Sequence, residues 1–277
     1  MFKGKYIVTV HDLTLFFYPG RSRNDLIHKW AYKYIFGSAC KKAQEIIAVS
    51  EATKSDIVKT FKTPAQKIKV VYEAADDKIF TAPPADLISK IKAQYKIDDT
   101  PVLLYVGQWR PHKNLIGLIK AFELLRAKMP AKLAIVGKPD PAFPDVKEII
   151  DKSKFLRDIM VTGFTSDEEL SAWYKIASVF VFPSFYEGFG LPGLEAMEAG
   201  LPVLASNKTS LPEIYQKAAL YFNPDYPKDI QEKIEQVIDD PRLRENLISE
   251  GSKLVKKYSW QKTAQETLAV YKQINNN

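Results

Sequence analysis

The stretch SVFVFPSFYEGFGLPGLEAMEAGLPVLA (residues 178–205) shows the pattern on which the whole chain is organised. An apolar run, SVFVF, is followed by a glycine-containing loop, a helical pattern and a second apolar run, PVLA. Continuous apolar strands separated by helices are typical of buried parallel sheets, so the pattern predicts a doubly wound α/β fold. We predict strands at 6–10, 46–49, 68–72, 102–106, 132–136, 158–162, 178–182 and 202–205.

The predicted strands fall into two groups. Between them lies EAADDKIFTAPPADL (73–87), a Pro-, Asp- and Ala-rich stretch that we interpret as a connector. We expect a first Rossmann-like domain over 1–80, a connector over 81–98 and a complete second domain over 99–257. The first domain is incomplete, because three strands and two helices form only half of a doubly wound unit. Helices are predicted near 24–43, 51–61, 227–239, 241–257 and 260–273, with Ser50 as the N-cap of the second.

Composition and charge limit the classes of function. The formal net charge is +7, and residues 1–62 carry eleven Lys and Arg against five Asp and Glu. A basic patch of this kind can meet an anionic membrane surface or a nucleic acid, but no nucleic-acid recognition motif accompanies it. Cys40 is the one cysteine, which excludes an intrachain disulfide and a cysteine-rich metal site. We expect no signal peptide, no membrane span, and a cytoplasmic location with peripheral contact at the inner face of the membrane.

Glycines and charged residues follow four strands of the predicted second domain. In open parallel sheets, ligands bind outside the carboxyl ends of the strands. The four loops therefore predict one crevice suited to a phosphate or nucleotide, with Lys113 and Arg110 as positive charges and Gly107 and Gly163 among its glycines. The loops are GQWRPHKN (107–114), GKP (137–139), GFT (163–165) and PSFYEGFG (183–190).

Two glutamates eight positions apart, Glu187 and Glu195, stand in the last of these loops and in the helix that follows it. Gly188 and Gly190 allow the backbone to approach a ligand closely. The helix begins at Leu191, and its unpaired N–H groups suit a diphosphate. The glutamates themselves are compatible with an acid/base pair, a clamp on sugar hydroxyls, or ordinary helix-start chemistry.

Nearly the whole chain resembles the retaining, nucleotide-sugar-dependent glycosyltransferases of GT-B fold, often called group 1 or family 4. The E-x7-E pair inside PSFYEGFGLPGLEAMEAGLPV is the most specific element, and the GQWRPHKN loop is a further one. The remaining similar segments are TVHDLTLFFYP, IIAVSEATKSDI, LAIVG, VTGFTSDEELSAWYKIASVFVF, SLPEI and YSWQKTAQETLAVYK.

The resemblance implies a role for each matching residue. Glu187 would contact hydroxyls of the transferred sugar, and Glu195 would hold the ribose. The diphosphate would bind the backbone of Phe189, Gly190 and Leu191. The second domain would thus bind the donor, which is a GDP- or UDP-sugar and a substrate, without a metal ion or cofactor.

Three further residues complete the implied site. Lys113 would assist at the diphosphate, and His11 matches a histidine near the donor sugar. The family often has Arg where this chain has Gln108, and Arg110 is the residue that could replace it. The first domain would be the acceptor side, with the helix over 258–277 crossing back to it.

Members of the family normally begin with a further ~80–100 residues, the usual size of half a domain, which we expect this chain to lack. A wrong start, a separate complementing chain and a real loss all account for that. The expected function is retaining transfer of a sugar, with mannose preferred, to a glycan or lipid-linked acceptor. The alternative is a donor-nucleotide-binding subunit without activity of its own. A glycoside hydrolase with two catalytic carboxylates fits less well, because phosphate-type loops surround the pair.

Overall fold

A computed structural model describes residues 4–19, 25–75 and 83–275. Part of the expected connector therefore lies outside the described residues. The strands are β1 (Ile7–Val10), β2 (Glu45–Ala48), β3 (Ile68–Val70), β4 (Val102–Val106), β5 (Lys132–Val136), β6 (Ile159–Gly163), β7 (Val179–Phe182), β8 (Val203–Ser206) and β9 (Ala219–Phe222).

Helices connect the strands along the whole described chain. They are α1 (Thr14–Phe17), α2 (Asp25–Lys42), α3 (Glu51–Phe61), α4 (Ala85–Gln94), α5 (Leu115–Arg126), α6 (Asp145–Asp151), α7 (Asp167–Ile176), α8 (Leu191–Glu198), α9 (Leu211–Tyr215), α10 (Pro227–Asp239), α11 (Pro241–Val255) and α12 (Trp260–Asn275). The N-cap prediction for α3 is confirmed, because the Ser50 side chain accepts a hydrogen bond from the Thr53 backbone N–H.

The first sheet consists of β1, β2 and β3, all parallel and in that order. We call the described residues between 4 and 75 the first lobe. Helix α12 packs against this sheet, where Val270 joins Ile47 and Val71 in a small buried cluster. The Thr263 hydroxyl also donates to the backbone carbonyl of Tyr72 (2.6 Å). The C-terminal helix therefore lies on the first lobe.

The second sheet has six parallel strands within the described residues, in the order β6-β5-β4-β7-β8-β9. We call residues 99–257 the second lobe. Its strand order is that of a doubly wound dinucleotide-binding fold, and the predicted fold class is confirmed. Successive strands are added on one side of β4 as far as β6, and on its other side from β7 to β9, so the strand order reverses between β4 and β7. Such a switch point opens a crevice at the carboxyl ends of the two strands, where ligands bind.

Three elements were not predicted from the sequence, namely helix α1, strand β9 and helix α4. Strand β9 completes the second sheet beside β8. Helix α4 lies inside the expected connector, and it packs on α7, with Ile91 buried and the Tyr95 ring 5.2 Å from that of Trp173. The connector composition was a poor guide there, because the apolar face of α4 gains a partner 80 positions away only in the folded chain.

Helix α2 exposes several large apolar side chains. Ile27, Trp30 and Tyr34 are 66%, 73% and 79% exposed, and their spacing places them on one side of the helix. The side chains of Lys29 and Lys33 belong to the same helix. None of the helices in the described part of the chain combines the length and apolarity that crossing a membrane requires.

Candidate active site

An ion pair joins the loops that follow β4 and β7. Lys113 Nζ lies 2.7 Å and 2.9 Å from the two carboxylate oxygens of Glu187. Both side chains are largely buried, at 18% and 11% exposure, and the ammonium also lies over the Phe182 ring. Residues 74 positions apart thus meet at the switch point of the sheet, as the strand order requires.

Asn114 explains why the first of these loops has this conformation. Its side chain caps α5 by accepting from the Gly117 N–H (3.2 Å). The same amide donates to the carbonyls of Pro183 and Pro224 (3.2 Å and 2.9 Å). Asn114 is buried, and its backbone adopts a left-handed conformation with φ 54°. It therefore fixes the neighbouring Lys113 relative to the loop after β7.

The backbone of the Glu187 loop is held from the segment after β8. The Glu187 N–H donates to the Thr209 hydroxyl (3.1 Å). The Ser210 hydroxyl lies 3.0 Å from the Glu187 carbonyl and 3.3 Å from the Phe189 carbonyl. No role was predicted for Thr209 or Ser210, although Ser210 is the first residue of the SLPEI stretch (210–214) that was part of the resemblance.

Glycine is required at the start of α8. Gly190 has φ 106°, and a Cβ there would lie 2.5 Å from the Tyr215 hydroxyl. The Tyr215 hydroxyl also donates a hydrogen bond to the Gly190 carbonyl. Leu191 then begins the helix without a side-chain cap on the first N–H groups. This terminus is a favourable place for an anionic ligand, because the helix dipole and the N–H groups point out of it.

Glu195 lies one turn inside α8 and is held differently. The hydroxyl of Tyr174, a buried residue of α7, donates to Glu195 Oε2 (2.8 Å). Burial raises the pKa of Tyr215, and the charges of Glu187 and Glu195 raise it further. Glu187 precedes the turn at Gly190 and Glu195 follows it, so the two glutamates flank the same turn.

Glycines line the edge of the crevice where β4, β5 and β6 end. The Gly137 N–H donates to the Gly163 carbonyl (3.0 Å), and a Cβ on Gly137 would lie 2.0 Å from the Gly107 carbonyl. The loops after β4 and β5 therefore approach each other too closely for a side chain at Gly137, whereas the space around Gly163 is open. Phe189 lies in the loop after β7. Its side chain is buried against Tyr72 and Tyr258, so its backbone alone can reach a ligand.

His11 reaches the same region from the first lobe. Its backbone carbonyl lies against Gly188, where a Cβ would be 1.8 Å away. His11 Nδ1 lies 2.8 Å from Glu73 Oε1. Because a carboxylate accepts hydrogen bonds, Nδ1 carries the proton in this contact and Nε2 is the nitrogen left for a substrate. Glu73 was not predicted as a site residue, and it begins the Pro-, Asp- and Ala-rich stretch 73–87.

Arg110 is engaged within its own lobe. Its Nε lies 3.2 Å from Asp140 Oδ2, and its guanidinium stacks over the Phe143 ring. It lines a cavity of about 650 Å³ together with Lys113, and Gln108 lines the same cavity. If Arg110 contacts a diphosphate, its positive charge is therefore shared between that ligand and Asp140.

The first lobe contributes Asp12, Thr14, Leu15 and Tyr18 to the lining of this cavity. His112, from the opposite wall, has its ring 5.8 Å from that of Tyr18. Burial, and then the charge of Lys113, lower the pKa of His112 to about 4, so the imidazole is neutral near pH 7. Across residues 4–19, 25–75 and 83–275, no three His, Cys, Asp or Glu side chains come together in a way that could hold a metal ion.

Comparison with known protein families gives two matches. The model described as glycosyl transferases group 1 matches residues 88–254, and the model described as glycosyltransferase family 4 matches residues 2–78. The O-antigen chain mannosyltransferase B of Escherichia coli is 31% identical over 96% of this chain and 70% of its own length. The MMP alpha-(1->4)-mannosyltransferase of Mycolicibacterium hassiacum is 31% identical over 90% of this chain and 59% of its own.

Solved structures give the same fold. Sucrose-phosphate synthase from Thermosynechococcus elongatus aligns with a TM-score of 0.83 at 23% identity, over 100% of this chain and 69% of that protein. The Anabaena protein Alr3699/HepE, solved in complex with UDP and glucose, aligns with a TM-score of 0.80 at 18% identity. That alignment covers 99% of this chain and 72% of the Anabaena protein.

Proposed function

Because this chain belongs to the group 1 glycosyl transferases, we propose that it transfers a mannosyl residue from GDP-mannose to a glycan or lipid-linked acceptor with retention of configuration. The protein is a glycosyltransferase by family, and its fold is GT-B, as the resemblance implied. The donor, the acceptor and the stereochemistry are the proposed parts.

The proposed reaction breaks the bond between C1 of the sugar and the β-phosphate oxygen, and the nucleoside diphosphate leaves with the bonding electrons. Lys113 and the N–H groups at the start of α8 stabilise the negative charge that develops there. The acceptor hydroxyl forms the new bond to C1 on the same face of the sugar, and its proton passes to a phosphate oxygen. Glu187 binds hydroxyls of the sugar, and Glu195 binds the ribose.

The observation that carries this proposal is the Lys113–Glu187 ion pair beside the α8 N-terminus. A buried ammonium and a buried carboxylate in contact can each turn to one part of a sugar diphosphate. The ammonium suits the phosphates, and the carboxylate accepts hydrogen bonds from sugar hydroxyls. The same geometry gives no reason to place a water nucleophile between two acids, as glycoside hydrolysis by inversion needs.

Mannose is proposed because the two relatives described above are named mannosyltransferases. The GQWRPHKN loop supports the same choice through its resemblance to mannosyltransferases. For the base, GDP is the proposal and UDP is the competing candidate, since the structurally similar Anabaena protein was solved with UDP.

Turnover of radiolabelled donors tests the proposal. We expect slow release of mannose from GDP-mannose, reduced by about 10²-fold in Glu187→Ala and in Lys113→Ala. Lys120→Ala, a change at an exposed lysine of α5, is the matched control and should behave as wild type. Retention predicts that the sugar is released with the anomeric configuration of the donor, as measured by NMR. Equal hydrolysis by wild type and by both site variants would contradict the proposal.

Binding without turnover would favour the second candidate function, a donor-nucleotide-binding subunit. The position of β1 at the edge of the first sheet supports it, because a parallel strand from a complementing chain could add there. In that case calorimetry would detect GDP binding, and transfer would appear only when the complementing chain is added.

The exposed face of α2 supports a lipid-linked acceptor presented at a membrane. Trp30 and Tyr34 are residue types that favour the membrane–water interface, and lysines beside them favour anionic lipid. We expect the chain to float with vesicles containing phosphatidylglycerol and not with pure phosphatidylcholine. Trp30→Ser should weaken that flotation, whereas Trp260→Ser, at a half-exposed tryptophan of α12, should leave it unchanged. Equal flotation of both variants with wild type would contradict contact through α2.

A further inference from the structure

The residue before Glu187 leaves its own lobe. Tyr186 is 6% exposed, and its ring lies within the apolar core of the first lobe, beside Val10 and Leu13. Its ring centroid is 5.1 Å from that of Phe17. The loop after β7 is therefore anchored in the first lobe by a side chain from the second.

Two hydrogen bonds fix the Tyr186 hydroxyl at the end of this insertion. It donates to Asp56 Oδ2 (2.8 Å) and accepts from the Leu13 backbone N–H (3.3 Å). Asp56 lies on α3, and burial raises the pKa of its carboxyl, although the hydrogen bond from Tyr186 and the charge of Lys59 act in the opposite direction. A half-buried carboxylate and a buried phenol satisfy each other at this point.

The residue after Glu187 is held by the first lobe as well. The Gly188 carbonyl lies 2.7 Å from the Ser50 hydroxyl and 3.3 Å from the Thr53 hydroxyl, both at the start of α3. The carbonyl of His11 closes the other side, where any Cβ on Gly188 would collide. Both neighbours of Glu187 are thus bound to the first lobe, while its own carboxylate contacts Lys113 of the second.

We propose that Asp56, acting through the Tyr186 hydroxyl, is a positioning residue that orients Glu187 toward the transferred sugar. The inference rests on the proposed function, in which Glu187 contacts sugar hydroxyls. Two anchored neighbours fix the backbone position from which the Glu187 side chain extends, and small errors in the placement of such a group are costly for catalysis. The first lobe therefore acts on the sugar although neither Asp56 nor Tyr186 touches it.

The Tyr186→Phe variant tests this role, because it removes the hydroxyl and keeps the buried ring. We expect kcat for donor turnover to fall about tenfold, the loss for one well-placed hydrogen bond to a charged group. The dissociation constant for GDP alone should stay within about twofold, because the tyrosine acts on the sugar end of the site, which GDP does not occupy. Asp56→Ala should lower kcat similarly, and Asp56→Asn, which keeps an acceptor oxygen, should recover most of it.

A double variant and a matched control complete the experiment. Tyr186→Phe combined with Asp56→Ala should cost no more than either change alone, since both break the same contact. Tyr271→Phe, at a half-exposed tyrosine of α12, should turn over donor as wild type does. An active wild type with kcat unchanged in Tyr186→Phe would overturn the inference, and so would a parallel loss of GDP affinity. Failure of the proposed function is distinguishable, because the wild type itself would then turn over no nucleotide sugar, whether or not it binds GDP.

Discussion

The loop that carries Glu187 and the helix that carries Glu195 are adjacent in sequence and are stabilised in different ways. Glu187 is paired with Lys113 of the second lobe, while its neighbours Tyr186 and Gly188 are bound to the first lobe. Glu195 is held by Tyr174, which belongs to the second lobe, as does α8 itself. Glu187 therefore depends on both lobes, whereas the hydrogen bond from Tyr174 holds Glu195 from within the second lobe.

This difference suggests a division of labour within the proposed site. The nucleotide end can be formed by the second lobe alone, because α8, Glu195 and the glycine loops all belong to it. The sugar end requires the first lobe, through Tyr186 and His11. Affinity for nucleotide and turnover of sugar should therefore respond to different substitutions.

The largest expected effect is at Glu187. In Glu187→Ala, kcat for donor turnover should fall by about 10²-fold or more, because the sugar loses its charged acceptor. Affinity for GDP should be unchanged or higher, since Lys113 loses the carboxylate that competes with the diphosphate. Titration calorimetry and steady-state kinetics measure the two quantities. A loss of GDP affinity comparable to the loss of kcat would break the comparison.

The complementary change at Glu195 should act on binding. Glu195→Ala should weaken GDP and GDP-mannose by about the same factor, roughly tenfold for a lost hydrogen bond to a charged group. The kcat at saturating donor should change little. Glu168→Ala, at an exposed glutamate of α7, is the control and should bind as wild type does. Selective weakening of GDP-mannose, with GDP affinity kept, would assign Glu195 to the sugar instead.

A smaller effect is expected for the contact between His11 and Glu73. Glu73→Gln keeps the size of the side chain but removes the charge that orients the imidazole. We expect kcat to fall about threefold, and GDP affinity to be kept, because a neutral hydrogen bond replaces a charge-assisted one. If Glu73→Gln and Glu73→Ala both turn over donor at the wild-type rate, His11 has no role that depends on this contact.

At His112, which lies at the contact between the lobes, the expected effect is on stability. Its pKa is lowered from 6.5 to about 4, mainly by burial and then by Lys113. The unfolded chain therefore binds the extra proton between these pH values, and stability should rise with pH across that window and level off above it. Thermal unfolding between pH 4.5 and 7 should show a smaller pH dependence for His112→Phe than for wild type. An identical pH dependence would contradict a buried neutral His112.

The sequence was sufficient to predict the fold and the loops that meet at the switch point of the second sheet. Apolar runs such as VLLYV and KLAIV coincide with β4 and β5, because buried parallel strands need apolar side chains on both faces. Glycines after successive strands indicated the crevice, because the loops at the carboxyl ends of parallel strands lie at one edge of the sheet, where ligands bind. The start of α8 at Leu191 was also predictable from the sequence, since a left-handed glycine before the helix and a proline in its first turn are short-range features.

The contacts that orient the site could not be predicted in this way. Tyr186 and Asp56 are 130 positions apart, and His11 and Glu73 are 62 apart. Neither pair has a local pattern. The Tyr186–Asp56 contact arises only when the two lobes meet, and the His11–Glu73 contact arises only when the segments after β1 and β3 come together within the first lobe. Arg110 shows the same difficulty, since its ion pair with Asp140 depends on how the loops after β4 and β5 approach each other.

The central claim is that Lys113, Glu187 and Glu195 surround one bound nucleotide sugar. A crystal structure of the chain soaked with GDP-mannose tests it most directly. We predict the diphosphate at the start of α8 in contact with Lys113, the mannose on Glu187 and the ribose on Glu195. A nucleotide bound at another edge of the sheet, or one bound here that touches neither glutamate, would contradict the claim.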